Sequence, residues 1–167
     1  HGTPSIAFAL AERMHLNVWT TRLDERGLPR GPWLAALKQA VADGLPDDHP
    51  IAVGPLGSRP LGALRDIVTV TPGQRLAYVT DLADTPDNRA RAIALARGAD
   101  LLFIEAPFAA EDADVARDRC HLTTRAAGEI ARAAGVRRAE PFHLSPRYQD
   151  EARLLAEFAA FSGLPVG

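Results

Sequence analysis

An α/β layered domain is the architecture this sequence of 167 residues predicts, on three grounds. From Gly73 onward, apolar runs of strand length alternate with helix-length segments that carry their own start and stop residues. Hydrophobic residues make up 47% of the chain and charged residues 24%, the balance of a globular domain with a sizeable core and not of a disordered segment. The single cysteine, Cys120, excludes a disulfide scaffold and fits a reducing compartment, so the cytoplasm is the expected location.

The elements follow in order. Ser5 to Glu12 and Leu16 to Thr20 carry strand-like patterns and are expected to pair as neighbours. The texture then changes: a short helical pattern at Trp33, Leu34, Leu37 and Val41 gives way to a Gly- and Pro-rich run ending at Gly62. Breakers at that density predict an excursion from the core over 27–62. Beyond it, Arg75 to Thr80 reads as a buried strand. Thr85-Pro86 supplies an N-cap and a proline suited to the first helical position, and Gly98 stops that helix. Leu101 to Glu105 is the next strand, followed by helices around Glu111 to Arg119 and over Thr124 to Ala134, the latter ended by Gly135. Val136 to His143 forms a strand, and Gln149 to Phe161 a last helix whose Leu154, Leu155, Phe158 and Phe161 are core at helical spacing.

The net charge of −2 supplies no global positive field, so binding to nucleic acid would need a local patch. No apolar run approaches the roughly 20 residues that cross a bilayer, and no membrane partner is expected. Polar residues collect at the strand ends: Asp81 after the first regular strand, Glu105 closing the second, His143 closing the third. Ligands and functional groups gather at such an edge in open α/β sheets. Imidazole and carboxylate are the side chains of metal and acid/base chemistry, but their spacing here matches no compact metal signature. Cys120 beside His121 is read as a small apolar residue, because sequence neighbours at a helix end point in different directions.

Four motifs carry a resemblance. Tyr78-Val-Thr-Asp81, Phe103-Ile-Glu105-Ala-Pro-Phe108, His121-Leu-Thr-Thr124 and Pro141-Phe-His143-Leu-Ser-Pro-Arg147-Tyr148 occur in the order found in the C-terminal half of ribonuclease Z, the tRNA 3'-processing family of the metallo-β-lactamase superfamily. Upstream, His1-Gly-Thr-Pro resembles a family strand that begins with a metal-binding histidine, and Pro29-Arg30-Gly31-Pro32 resembles the Gly-Pro motif of the arm that grips tRNA. The resemblance implies an αββα sandwich, here mainly its C-terminal half, with 1–26 as strands, 27–62 as the inserted arm and 63–167 as the remaining α/β portion. It implies two zinc ions, with manganese as the alternative, for which Asp81 is the bridging ligand and His143 and His1 bind one ion each. His121 becomes a proton donor oriented by Glu105. Ser145 and Arg147 are candidates for phosphate, and Gly31, Pro32 and Lys38 belong to the arm. The implied activity is cleavage of the 3' trailer from precursor tRNA by a cytoplasmic homodimer.

Departures accompany the resemblance. The family's His-x-His-x-Asp-His motif is absent from these 167 residues, so the chain is expected to be an incomplete portion and inactive alone. Ile104 stands where a histidine is common, Pro107 where threonine is usual, and Thr80-Asp81-Leu82 replaces a Gly-Asp-Thr turn. The arm is nearly neutral, with Arg30, Lys38 and Arg59 set against Asp43, Asp47 and Asp48. Two alternatives follow: a hydrolase of another ester or phosphodiester, and a non-catalytic half used for binding or dimerisation through Trp33, Leu34 and Leu37.

Overall fold

The computed structural model describes residues 4–165. In chain order its strands and α-helices are β1 Phe8–Ala11, β2 His15–Val18, α1 Thr20–Glu25, α2 Trp33–Ala42, β3 Pro50–Ala52, β4 Ser58–Pro60, β5 Val68–Thr71, β6 Arg75–Val79, α3 Pro86–Ala96, β7 Leu101–Glu105, α4 Ala113–Asp118, α5 Thr124–Ala134, β8 Ala139–Phe142 and α6 Glu151–Ser162. They divide into two compact units. One comprises residues 4–12 with 74–165; the other is the insert Arg13–Gly73.

The larger unit is built on a four-stranded sheet in the order β1-β6-β7-β8. β6, β7 and β8 run parallel, with Val79 opposite Ile104 and Glu105 opposite Phe142, while β1 pairs antiparallel with β6. Alternation along β7 explains its burial: Leu102 and Ile104 are fully buried, and Phe103 turns to the other face. Leu102 and Ile104 join Ala77, Val79 and helix residues such as Ile130 and Phe158 in one core, each large side chain contributing about 1.5–3 kcal/mol by leaving water. On the opposite face Tyr78 lies between Phe8 and Phe142, at ring-centroid distances of 5.3 and 5.0 Å.

Helix limits follow local chemistry. Thr85 accepts a hydrogen bond from the Asn88 N–H and precedes Pro86 at the first helical position, and Thr123 accepts from the Ala126 N–H at the start of α5. Gly135 ends α5 in the left-handed conformation. Small residues on α5 let α6 approach closely. A Cβ on Gly128 would stand 2.7 Å from Phe161 Cβ and 2.9 Å from the Ser162 nitrogen.

The insert has shorter pieces. β2 pairs with β5 and β3 with β4, both antiparallel, and short 3-10 turns link them. Its own core gathers Leu23, Trp33, Leu37, Ile51, Leu61 and Ile67. Arginines tie its turns: Arg65 donates to Asp47 at 2.6 Å and to the Leu45 carbonyl, and Arg26 to the Ala63 carbonyl at 2.8 Å.

Two expectations are corrected. β1 and β2 do not pair with each other; β1 pairs with β6 and β2 with β5. Strands of four residues carry too few side chains to specify a partner, and the Arg13 boundary separates these two into different units. Nor are Trp33 and Leu37 available to a second subunit. They are 7% and 0% exposed, inside the insert's core. No helix among the described residues is long and apolar enough to cross a membrane.

Candidate metal and acid–base site

Three parallel strands deliver the site because their carboxyl ends share an edge. Glu105 is the last residue of β7, Asp81 lies two residues past β6, and His143 follows β8 directly. Neighbouring strands lie about 4.8 Å apart, so residues far apart in sequence meet there. His121 comes from the turn between α4 and α5, where its own N–H donates to the Ala116 carbonyl.

Glu105 organises the group. Its side chain is fully buried, and both oxygens accept hydrogen bonds. Oε1 takes the backbone N–H of Leu82 at 3.0 Å and of Leu122 at 3.1 Å; Oε2 takes that of Asp81 at 2.9 Å and faces His121 Nδ1 at 2.9 Å and His143 Nδ1 at 3.3 Å. A carboxylate can stay in the interior when its lone pairs are this well supplied. Because each imidazole turns Nδ1 to Glu105, Nε2 is the nitrogen each ring can offer to a metal or a proton. The two rings meet edge to face, centroids 5.2 Å apart.

Asp81 and His143 reach solvent, their side chains 38% and 45% exposed, and His143 Nδ1 lies 3.8 Å from Asp81 Oδ1. Their backbones are unusual. Asp81, Cys120 and His143 are the non-glycine residues with positive φ among the described residues, at 49°, 58° and 63°. Each is a site residue or adjoins one, and each such conformation costs on the order of 1–3 kcal/mol. The Glu105 bonds to the Asp81 and Leu82 amides and to the His143 ring help hold two of them.

The donor set suits a divalent cation. Ligand atoms from Asp81, Glu105, His121 and His143 all lie within 4.8 Å of one another, and nitrogen with carboxylate oxygen is a set that zinc and similar metals accept. Glu105 is already saturated with hydrogen-bond donors. Asp81 and His143, with His121 beside them, have the remaining capacity to hold an ion.

A cavity of about 530 Å³ opens against both imidazoles, and Ser145, Arg147, Phe108 and Arg119 also line it. Three loops are tied together to shape it. The Ser145 N–H donates to the Pro107 carbonyl at 3.2 Å, the Thr124 N–H to the Phe108 carbonyl at 2.7 Å, and the Ala109 N–H to the Tyr148 hydroxyl at 3.0 Å. Tyr148 in turn donates to Asp112. Burial, reinforced by Asp112, pushes its hydroxyl above the usual phenol value, which keeps it a donor.

Asp81, Glu105, His121 and His143 thus come together, and Ser145 and Arg147 stand beside them. His1 lies outside the described residues. Gly31, Pro32 and Lys38 belong to the insert, where the Gly31 carbonyl accepts from the Leu34 N–H, Pro32 precedes α2 and Lys38 lies within that helix. Sequence reasoning did not single out Phe108, Arg119 or Tyr148. Their signal was position alone, since each lies within or next to a motif quoted above.

Comparison with known proteins supplies the context. Residues 52–144 match the family described as Beta-lactamase superfamily domain. Ribonuclease Z of Thermobifida fusca is 39% identical over 98% of the chain and 47% of its own length. Ribonuclease Z of Geobacillus kaustophilus is 37% identical over 99% of the chain and 50% of its own length. The chain therefore spans about half the length of these curated relatives. Among solved structures, the metallo-beta-lactamase fold protein YhfI from Bacillus subtilis aligns over 60% of this chain and 39% of its own, with a TM-score of 0.50 and 23% identity, a likeness of fold.

Proposed function

The chain belongs to the beta-lactamase superfamily, where its curated relatives are ribonucleases Z, and we propose that it forms part of a metal-dependent phosphodiesterase that removes the 3' trailer from precursor tRNA. The observation that supports this most is the buried Glu105 carboxylate holding two imidazoles beside Asp81. The same reading makes zinc the metal, the cytoplasm the compartment and a homodimer the assembly. Asp81 and His143 are its ligands in this chain, joined by His1. A zinc ion held there would supply Lewis acidity toward a phosphoryl oxygen.

The chain's own residues account for the rest. A water oxygen bonds to phosphorus and loses a proton while the bond to the 3'-oxygen breaks; His121, as imidazolium, gives its Nε2 proton to that leaving oxygen, so that the tRNA keeps a 3'-hydroxyl and the trailer a 5'-phosphate. Glu105 keeps Nδ1 fixed and stabilises the charged ring through a 2.9 Å contact. Ser145 and Arg147 meet the phosphate from the cavity side. Glu105 contributes no bond to the metal, because its oxygens already accept three backbone N–H groups and face two imidazole nitrogens.

A chimera tests the reading: the chain joined to the portion of the Geobacillus kaustophilus relative that it does not match. That protein should bind zinc and cleave precursor tRNA. His121→Ala in it should lower turnover by roughly two to four orders of magnitude with metal content unchanged, as loss of a general acid does. Loss of zinc in His121→Ala would make His121 a ligand instead. Cleavage of a small phosphodiester without cleavage of precursor tRNA would favour the alternative hydrolase, to which the insert's nearly balanced charge also points.

A further inference from the structure

We propose that the cavity beside His121 is a subsite for one nucleotide of the substrate strand, with Arg119 and Arg147 receiving its phosphate and an apolar wall receiving its base. This rests on the phosphodiesterase reading and narrows it to a particular subsite and residue, Arg119.

Charge makes the first argument. In the larger unit Arg89, Arg117, Arg137 and Arg153 each pair with a carboxylate at 3.2 Å or less. Arg119 and Arg147 have no carboxylate partner among the described residues, yet both line the same cavity, together with two imidazoles. Two guanidinium groups at one opening, neither set against a carboxylate, favour an anion between them. Guanidinium groups are suited to phosphate oxygens by their planar array of donors. Arg147 is already placed, its guanidinium carbon 5.9 Å from the Phe108 ring centroid and 5.8 Å from that of Tyr148. Arg119 is placed by the end of α4, where its N–H donates to the Val115 carbonyl at 3.0 Å.

Shape makes the second. A phosphate alone needs little room, whereas about 530 Å³ is in the range of sites for whole small molecules. Phe108, Val115 and Leu144 give the cavity an apolar wall that a phosphate cannot use and a nucleobase can. Position makes the third. His121 lines the cavity and is the proton donor of the proposed reaction, so a nucleotide bound there flanks the bond that is cut.

The test is calorimetric titration of the metal-free 167-residue chain at low salt with adenosine 5'-monophosphate, inorganic phosphate and adenosine. The monophosphate should bind at least tenfold more tightly than either part. Arg119→Ala and Arg147→Ala should each weaken it roughly tenfold, a loss of the size expected for one charge-assisted contact. Arg97→Ala, at an exposed arginine just beyond α3, should leave binding unchanged. The subsite is overturned if the monophosphate does not bind, if phosphate binds as tightly as the nucleotide, if Arg119→Ala matches the wild type, or if Arg97→Ala loses as much. Metal plays no part in this titration. Nucleotide binding with an inactive chimera would therefore sink the phosphodiesterase reading alone, and an active chimera without nucleotide binding would sink the subsite alone.

Discussion

The two units hold themselves together by different means. In the larger unit, a mostly parallel sheet and long helices bury an alanine-rich core, and one interior carboxylate gathers amides and rings from three loops. In the insert, two-stranded ribbons and single turns are linked by arginine side chains reaching backbone carbonyls at the surface. The first arrangement concentrates its polar stabilisation at one buried point; the second spreads it over many exposed ones. Concentrated bonding makes a site precise and also vulnerable, because interior polar groups left without partners are costly.

Spectroscopy separates the units, since Trp19 and Trp33 lie in the insert while Tyr78 and Tyr148 lie in the larger unit. The largest effect is expected from Glu105→Gln. Either orientation of the amide turns an NH₂ group toward backbone N–H donors that lose their carboxylate acceptor, so the larger unit should lose about 3–5 kcal/mol. In urea titrations the far-ultraviolet circular dichroism transition should move, while the tryptophan transition stays in place. A common shift in both would show that the units unfold as one. Gly128→Ala comes next, at about 2 kcal/mol, because the added Cβ meets α6 backbone atoms at 2.9 and 3.0 Å that cannot swing aside. Its loss should also appear in circular dichroism. Arg65→Ala is the smallest, about 1 kcal/mol, read by tryptophan emission from the insert. An Arg65 effect as large as that of Glu105 would erase the distinction between concentrated and distributed bonding.

The same contrast governs what the chain reveals before it is folded. β7 and α5 have the limits expected from their patterns, Leu101–Glu105 and Thr124–Ala134, because a buried apolar run and a capped amphipathic segment are local signals. The pairing of β1 with β6 and the strands β3 and β4 are not local. Pro50 and Pro60 sit opposite each other in that small ribbon, a register that composition alone reads as breakers. At the site, the motifs indicated which side chains to consider. That Glu105 also binds the Asp81, Leu82 and Leu122 amides depends on loops meeting in space. Arg119 belongs to no motif that names a function, and only the shared cavity sets it apart.

The left-handed backbone at Asp81, Cys120 and His143 sets what variation each position can accept. At 120 the side chain has no assigned chemistry, so selection of a randomised library for thermal resistance should enrich glycine and asparagine, which adopt this conformation most readily. At 81 and 143 the same replacements would relax the backbone and discard the carboxylate and imidazole on which the proposed metal site depends. A screen for stability and a screen for turnover should therefore agree at 120 and choose opposite winners at 81 and 143.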